Sequence, residues 1–285
     1  MRVEVPSTFR HSGELSHQYA SRDPRSGFAE REVEIDLRNC RFIRPAAALW
    51  CLVYSLLVRR RGIPCTLLVP EDMSVCVYLK SLGLFKLLQD NGVEVDDRGV
   101  YGQDQRQLIL PLTRFSTERE VEDLVNDAYE KLKISGLGAP NMYPIVSEVF
   151  GELAMNAVQH SESPIDAYGA IQFYDFQDGG SRFSCAVADG GIGIRRSLER
   201  NPQLKPRVRY DWDAVLVAIE ERVSGTGDPH RGIGLFGVAE EMRRPGRQTI
   251  IHSGQGWLDI SEGQQNPPGR TTLFPGTLVF VSVPT

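Results

Sequence analysis

The stretch ELAMNAVQHS, Glu152–Ser161, sets a carboxylate, an amide and an imidazole at every fourth position of an otherwise apolar run. On a helix of 3.6 residues per turn, steps of four leave Glu152, Asn156 and His160 only about 40° apart around the axis, in one polar stripe. Two further elements could do chemistry. VADGGIGI, Val187–Ile194, closes an alternating strand on Asp189 and continues through Gly191 and Gly193. HRGIGLFGVAEEM, His230–Met242, runs a glycine loop, Gly232 and Gly234, straight into a helix. A carboxylate such as Glu152 can take a proton from water or a hydroxyl held within reach. The Asn156 oxygen could ligate Mg²⁺, which prefers oxygen donors and phosphate partners. Asp189 could accept a hydrogen bond from an exocyclic amine such as that of adenine. Gly191 and Gly193 remove side chains where a flat base would approach the backbone. Gly232 and Gly234 expose N–H groups at a helix start, where the dipole favours an anion. His160 could contact a phosphate or cap the last carbonyls of its own helix.

Plainer readings compete. Glu152 and Asn156 by themselves read equally well as polar groups bonded to nearby backbone. DGG is a hairpin signal, but the following IGIRRSLER is helical and not a return strand. GIGLFG matches a dinucleotide fingerprint, yet the preceding SGTGDPHR is no apolar strand, which excludes a Rossmann unit. No Ser/His/Asp or Cys/His arrangement stands out, and His11, His17, His230 and His252 lack metal-ligand spacing.

In order and approximate spacing, residues 106 to 285 resemble the GHKL ATPase superfamily of gyrase, the large heat-shock chaperones, sensor histidine kinases and anti-sigma-factor serine kinases. Its Glu and Asn four apart are matched by Glu152 and Asn156. Its Asp-x-Gly-x-Gly box is matched by Asp189, Gly191 and Gly193, and its Gly-x-Gly-Leu box by Gly232, Gly234 and Leu235. A Gly-Thr pair near the adenine is matched by Gly276 and Thr277. The resemblance implies ATP and Mg²⁺ as cofactors, Glu152 as general base and Asn156 as the metal ligand. It implies nucleotide contacts from Asn156, His160, Asp189, Gly191, Gly193, Ile194, Gly232, Gly234, Leu235 and Thr277. A lid would run from about 195 to 231, with Arg195, Arg196, Arg200, Lys205, Arg207 and Arg209 available to screen phosphate charge.

These motifs need elements to hold them. In the second half, LILPLTRF, AYGAIQFYDF, RFSCAVAD, RQTIIHS, GWLDIS and GTLVFVSV read as strands, and TEREVEDLVNDAYEKLK is an amphipathic helix. In the first half, strands RVEV, EVEIDL and IPCTLLV alternate with helices PAAALWCLVYSLLVRR and SVCVYLKSLGLFKLL, an α/β pattern. The polar stretch LQDNGVEVDDRGVYGQDQRQ is the boundary candidate. Through VEIDLRNCRFIRPAAALW and the later GLF, the first half resembles the STAS fold of anti-anti-sigma factors. That family's acceptor Ser at the start of its central helix is absent here, because Pro45, Ala46, Ala47 and Ala48 carry no hydroxyl. A docking or dimerisation module is therefore expected. The fold expected is an α/β STAS-like domain over 1–100 and an α+β sandwich of the Bergerat type over 101–285.

The chain has 285 residues, a net charge of −5 and five scattered cysteines without CxxC spacing. That composition argues against general nucleic-acid binding and against a disulfide frame. The longest apolar run, Pro45–Val58, is short for a bilayer span, and the start lacks a secretory signal's apolar core, so a cytoplasmic protein is expected. The functions in play are a slow ATPase used as a conformational switch, a serine/threonine kinase of the anti-sigma type, and a non-catalytic ATP/ADP sensor. Protein partners would bind through the first half, and a homodimer is left open. Neither a histidine kinase nor a gyrase-type machine is expected, since no acceptor-His hairpin precedes the motifs and no transducer follows them.

Overall fold

The computed structural model describes residues 1–15, 23–25, 29–97, 99, 108–136, 145–175, 180–220, 223, 234–261 and 263–285. The first half carries β1 (Arg2–Glu4), β2 (Thr8–Phe9), β3 (Val33–Asp36), β4 (Phe42–Ile43), α1 (Pro45–Arg60), β5 (Cys65–Leu68), α2 (Met73–Ser81), α3 (Leu84–Asp90) and β6 (Glu94–Val95). The second carries β7 (Leu108–Phe115), α4 (Glu118–Ser135), α5 (Gly151–His160), β8 (Ala167–Asp175), β9 (Ser181–Asp189), α6 (Gly193–Leu198), α7 (Asp211–Val217), α8 (Gly234–Met242), β10 (Gln248–Ser261), β11 (Gln264–Gln265) and β12 (Gly269–Pro284). The chain is mixed α/β, with a parallel sheet ordered β1-β3-β5-β6 and an antiparallel sheet ordered β11-β10-β12-β9-β8-β7.

Local chemistry accounts for the element ends. Helix α1 opens on Pro45, whose missing N–H has no helical acceptor at that position. Helix α4 opens on a reciprocal cap: Glu120 N–H donates to Thr117 Oγ1 (3.2 Å) and Thr117 N–H donates to Glu120 Oε2 (3.1 Å). Three sequence expectations change. The run 74–88 is two helices, broken where Gly83 takes φ +88°. RQTIIHS and GWLDIS join into one strand, β10, with register shifts around Gly254. Glu94 and Val95, inside the presumed linker, pair with Thr66 and Leu67 as an edge strand.

The sheet of the second half is buried on both faces. Alternation along its strands sends Tyr168, Ala170, Ala186, Ala188, Leu278 and Phe280 to one side, into a core shared with α1. Ile171, Phe173, Cys185, Val187, Val279 and Val281 point the other way, into a core with α4, α5 and α8. Helix α1 thus belongs to the core between the two sheets, which is why Pro45–Val58 is buried at every position. Polar contacts tie the halves as well. Ser12 Oγ lies 2.5 Å from His252 Nδ1, Thr272 Oγ1 donates to Ser12 O (2.8 Å), and Tyr78 Oη donates to Gln172 Oε1 (2.9 Å). All five cysteines are buried with free thiols. Among the described residues no helix is long and apolar enough to cross a membrane.

Candidate functional site

A π-helical turn, Val146–Phe150, leads directly into α5. Leu153, Ala154 and Ala157 of α5 are buried in the core, and this turns the polar stripe outward. Glu152, Asn156 and His160 all line one cavity of about 430 Å³. Its other walls come from far along the chain: Asp189 at the end of β9, Gly193 and Ile194 at the start of α6, Gly234 and Leu235 at the start of α8, and Thr277 of β12. The size lies within the range of small-ligand pockets.

Strand pairing places Asp189 on the cavity floor, with Ala167 of β8 on one side and Thr277 of β12 on the other. Asp189 is only 4% exposed. Burial raises its carboxyl from the usual value near 3.8 to about 7, against the opposing pull of the Gly191 and Thr277 N–H groups and the Arg25 charge. A buried carboxyl whose pKa is strongly raised, lying in a cleft, marks a candidate functional group. Gly191 does not line the cavity, so its smallness serves a purpose other than base approach. A Cβ there would overlap the Ser161 carbonyl, which accepts the Ile192 N–H at 2.7 Å. Gly193 does face the cavity, with φ +79°.

Helix α8 brings Gly234 against the start of α5, where a Cβ would overlap Glu152 Oε2 and come within 3.6 Å of Asn156 Nδ2. Glu152 is solvent-exposed and Asn156 half-buried. Gly232 and the end of the expected lid, up to residue 231, lie outside the described residues. The earlier part of that lid is a docked segment with its own apolar cluster of Leu198, Leu204, Val208, Ala214, Val217 and Ala218. Three of its five expected phosphate-screening arginines face carboxylates: Arg195 with Glu199 (3.0 Å) and Asp211 (3.8 Å), Arg200 with Glu162, and Arg207 with Glu220 (2.6 Å). These pairs are partly exposed, so each is a weak surface tie.

Ser253, which supports the cavity wall from behind, carries no motif signal. Its hydroxyl accepts the Ile194 N–H (2.8 Å), donates to Gly276 O (3.0 Å) and lies 3.2 Å from Thr277 Oγ1, linking the Asp189 loop to the Gly-Thr pair. One serine in a strand carries no sequence signal for that role. The apolar lining from Met155, Val187, Leu198, Ala218 and Val279 was also missed, because such residues read as ordinary core. Among the described residues no cluster of three or more His, Cys, Asp or Glu side chains could hold a metal alone. Asn156, beside Glu152, carries a side-chain oxygen that could serve a Mg²⁺ held otherwise by phosphate oxygens and water. No protein-family model matches the chain, and neither a curated protein nor a solved structure proved similar to it.

Proposed function

We propose that the cavity binds Mg·ATP and that the protein is a slow ATPase of the GHKL kind, used as a cytoplasmic conformational switch. On this reading the second half is a Bergerat-type domain and the first a STAS-like module that meets protein partners, with a homodimer left open. The observation that carries it is convergence: three glycine-and-acid elements more than 80 residues apart in total span, and Thr277 of the Gly-Thr pair beyond them, contribute to one cavity.

Asp189, buried and acceptor-bearing, reads the exocyclic amine of the base from the floor. The backbone at Gly193 and Ile194 leaves a flat ring room beside it. The start of α8 directs N–H groups at the phosphates, where the helix end favours negative charge. Asn156 supplies an oxygen to the metal, which when bound neutralises phosphate charge. Glu152, exposed at the cavity's α8 end, accepts the proton of an attacking water on a carboxylate oxygen. The same exposure favours one alternative, phosphotransfer, because a partner's Ser or Thr hydroxyl can reach Glu152 as readily as water.

The test follows γ-labelled ATP with Mg²⁺ and the purified protein, alone and with candidate partners. Free phosphate from the protein alone supports the ATPase, and label on a partner protein supports a kinase. Bound ATP that keeps its label leaves a nucleotide sensor. Absence of any ATP binding by calorimetry refutes all three.

A further inference from the structure

The Asp189 loop is gripped from both halves of the chain. Within the second half, Gly191 N–H donates to Asp189 Oδ1 (2.8 Å), Gly190 N–H to Ser163 Oγ (3.1 Å) and Ile192 N–H to the Ser161 carbonyl (2.7 Å). The Gly191 carbonyl is taken from outside, by Arg25 Nη1 of the first half. Arg25 is itself preset: its Nε and Nη2 meet Asp23 Oδ1 and Oδ2 at 2.9 and 2.8 Å, a two-pronged pairing that leaves Nη1 for Gly191. The turn is tied to the end of α1, because Arg61 Nη1 donates to Pro24 O (3.1 Å). A Cβ at Gly190 would crowd Leu57 of α1 on one side and Ile165 on the other. The Gly191–Ile192 peptide is therefore pinned at both ends, its N–H by the second half and its C=O by the first. Its neighbour, the Gly191 N–H, sets the rotamer of Asp189.

We infer that Arg25 is a positioning residue for the Asp189 loop, so that the cavity takes its binding shape only while the Asp23–Arg25 turn is docked. The inference rests on the nucleotide reading of the cavity and deepens it: displacing that turn lowers nucleotide affinity without entering the cavity.

The test uses the full chain and two readouts, ADP affinity by calorimetry and amide exchange at Gly191 and Ile192 in nucleotide-free protein. Arg25→Ala is expected to weaken ADP binding about 10-fold, the low end for losing a hydrogen bond from a charged donor, and to speed exchange by a similar factor. Arg25→Lys, which can still reach the carbonyl, recovers part of both. Asp23→Asn, which loosens the pairing, falls between. Tyr78→Phe, which removes a different inter-half hydrogen bond, leaves both readouts at the wild-type value. Wild-type behaviour of either readout in Arg25→Ala overturns the inference, as does an equal change in Tyr78→Phe, which would mean general loosening. If the wild-type protein binds no nucleotide, the functional reading fails, and the exchange rates alone decide whether Arg25 positions the loop.

Discussion

Asp189→Asn tests the chemistry of the cavity floor with minimal change of shape. The amide oxygen can still accept the Gly191 N–H, but the charge is gone. In the folded protein burial lifts the Asp189 carboxyl to about 7, while the unfolded chain titrates near 3.8. Between those two values the folded state holds a proton that the unfolded state has released. The contribution of Asp189 to stability therefore falls as pH rises through that window and is constant above about 7. A shift of roughly three units at about 1.36 kcal/mol each sets a ceiling of ~4 kcal/mol on the cost of ionising Asp189 in place. Urea unfolding of both proteins from pH 4.5 to 8.5 reads this directly. The two should be of similar stability near pH 4.5, and the Asn variant should gain steadily until it is the more stable by up to ~3 kcal/mol near pH 8, the part of that ceiling lying above pH 4.5. The same variant should bind ATP about 10-fold or more weakly, having lost a charged acceptor. Wild-type ATP binding should likewise weaken below pH 7, as Asp189 takes up its proton. Parallel stability profiles for the two proteins between pH 5 and 8 would refute the argument that burial holds a proton on Asp189.

Glu152→Ala should keep ATP binding and lose turnover in a phosphate-release assay; unchanged turnover sinks the base assignment. Asn156→Ala should weaken binding of ATP with Mg²⁺ more than binding of ATP in EDTA, both measured by calorimetry. Ser253→Ala removes one hydroxyl with three polar neighbours, so denaturant unfolding should show a loss of about 1–3 kcal/mol, with weaker ATP binding beside it. A chain beginning at residue 101 would bare Tyr168, Leu278 and Phe280, each contributing ~1.5–3 kcal/mol when buried, and should aggregate in light scattering where the whole chain does not.

Much of this was legible in the sequence. The apolar runs LILPLTRF and PAAALWCLVYSLLVRR, the second ended by the Gly-Pro of RGIPCT, match the observed strand Leu108–Phe115 and helix Pro45–Arg60. The stripe of Glu152, Asn156 and His160 follows from helical geometry alone, and all three reach the cavity. Short strands such as Thr8–Phe9 and Glu94–Val95 were not legible, because two residues hold no pattern and only their partners make them strands. The join in β10 was hidden as well, since RQTIIHS and GWLDIS read as separate strands, and only the tertiary structure packs Asp211 against Gly254 and Gly256 between them.

Local chemistry in the sequence determined which residues could meet a nucleotide: the carboxylates, the amide and the glycines at helix and strand ends. Tertiary structure decided the state and surroundings of those groups. Desolvation of Asp189 depends on β8 and β12 closing around it, and pairing of the Arg195, Arg200 and Arg207 side chains depends on where acidic residues from other segments come to lie. The contact of Arg25 with Gly191 joins residues 166 positions apart. No periodicity encodes such a distance; it exists because α1 packs on the back of the antiparallel sheet and brings the first half to the loop.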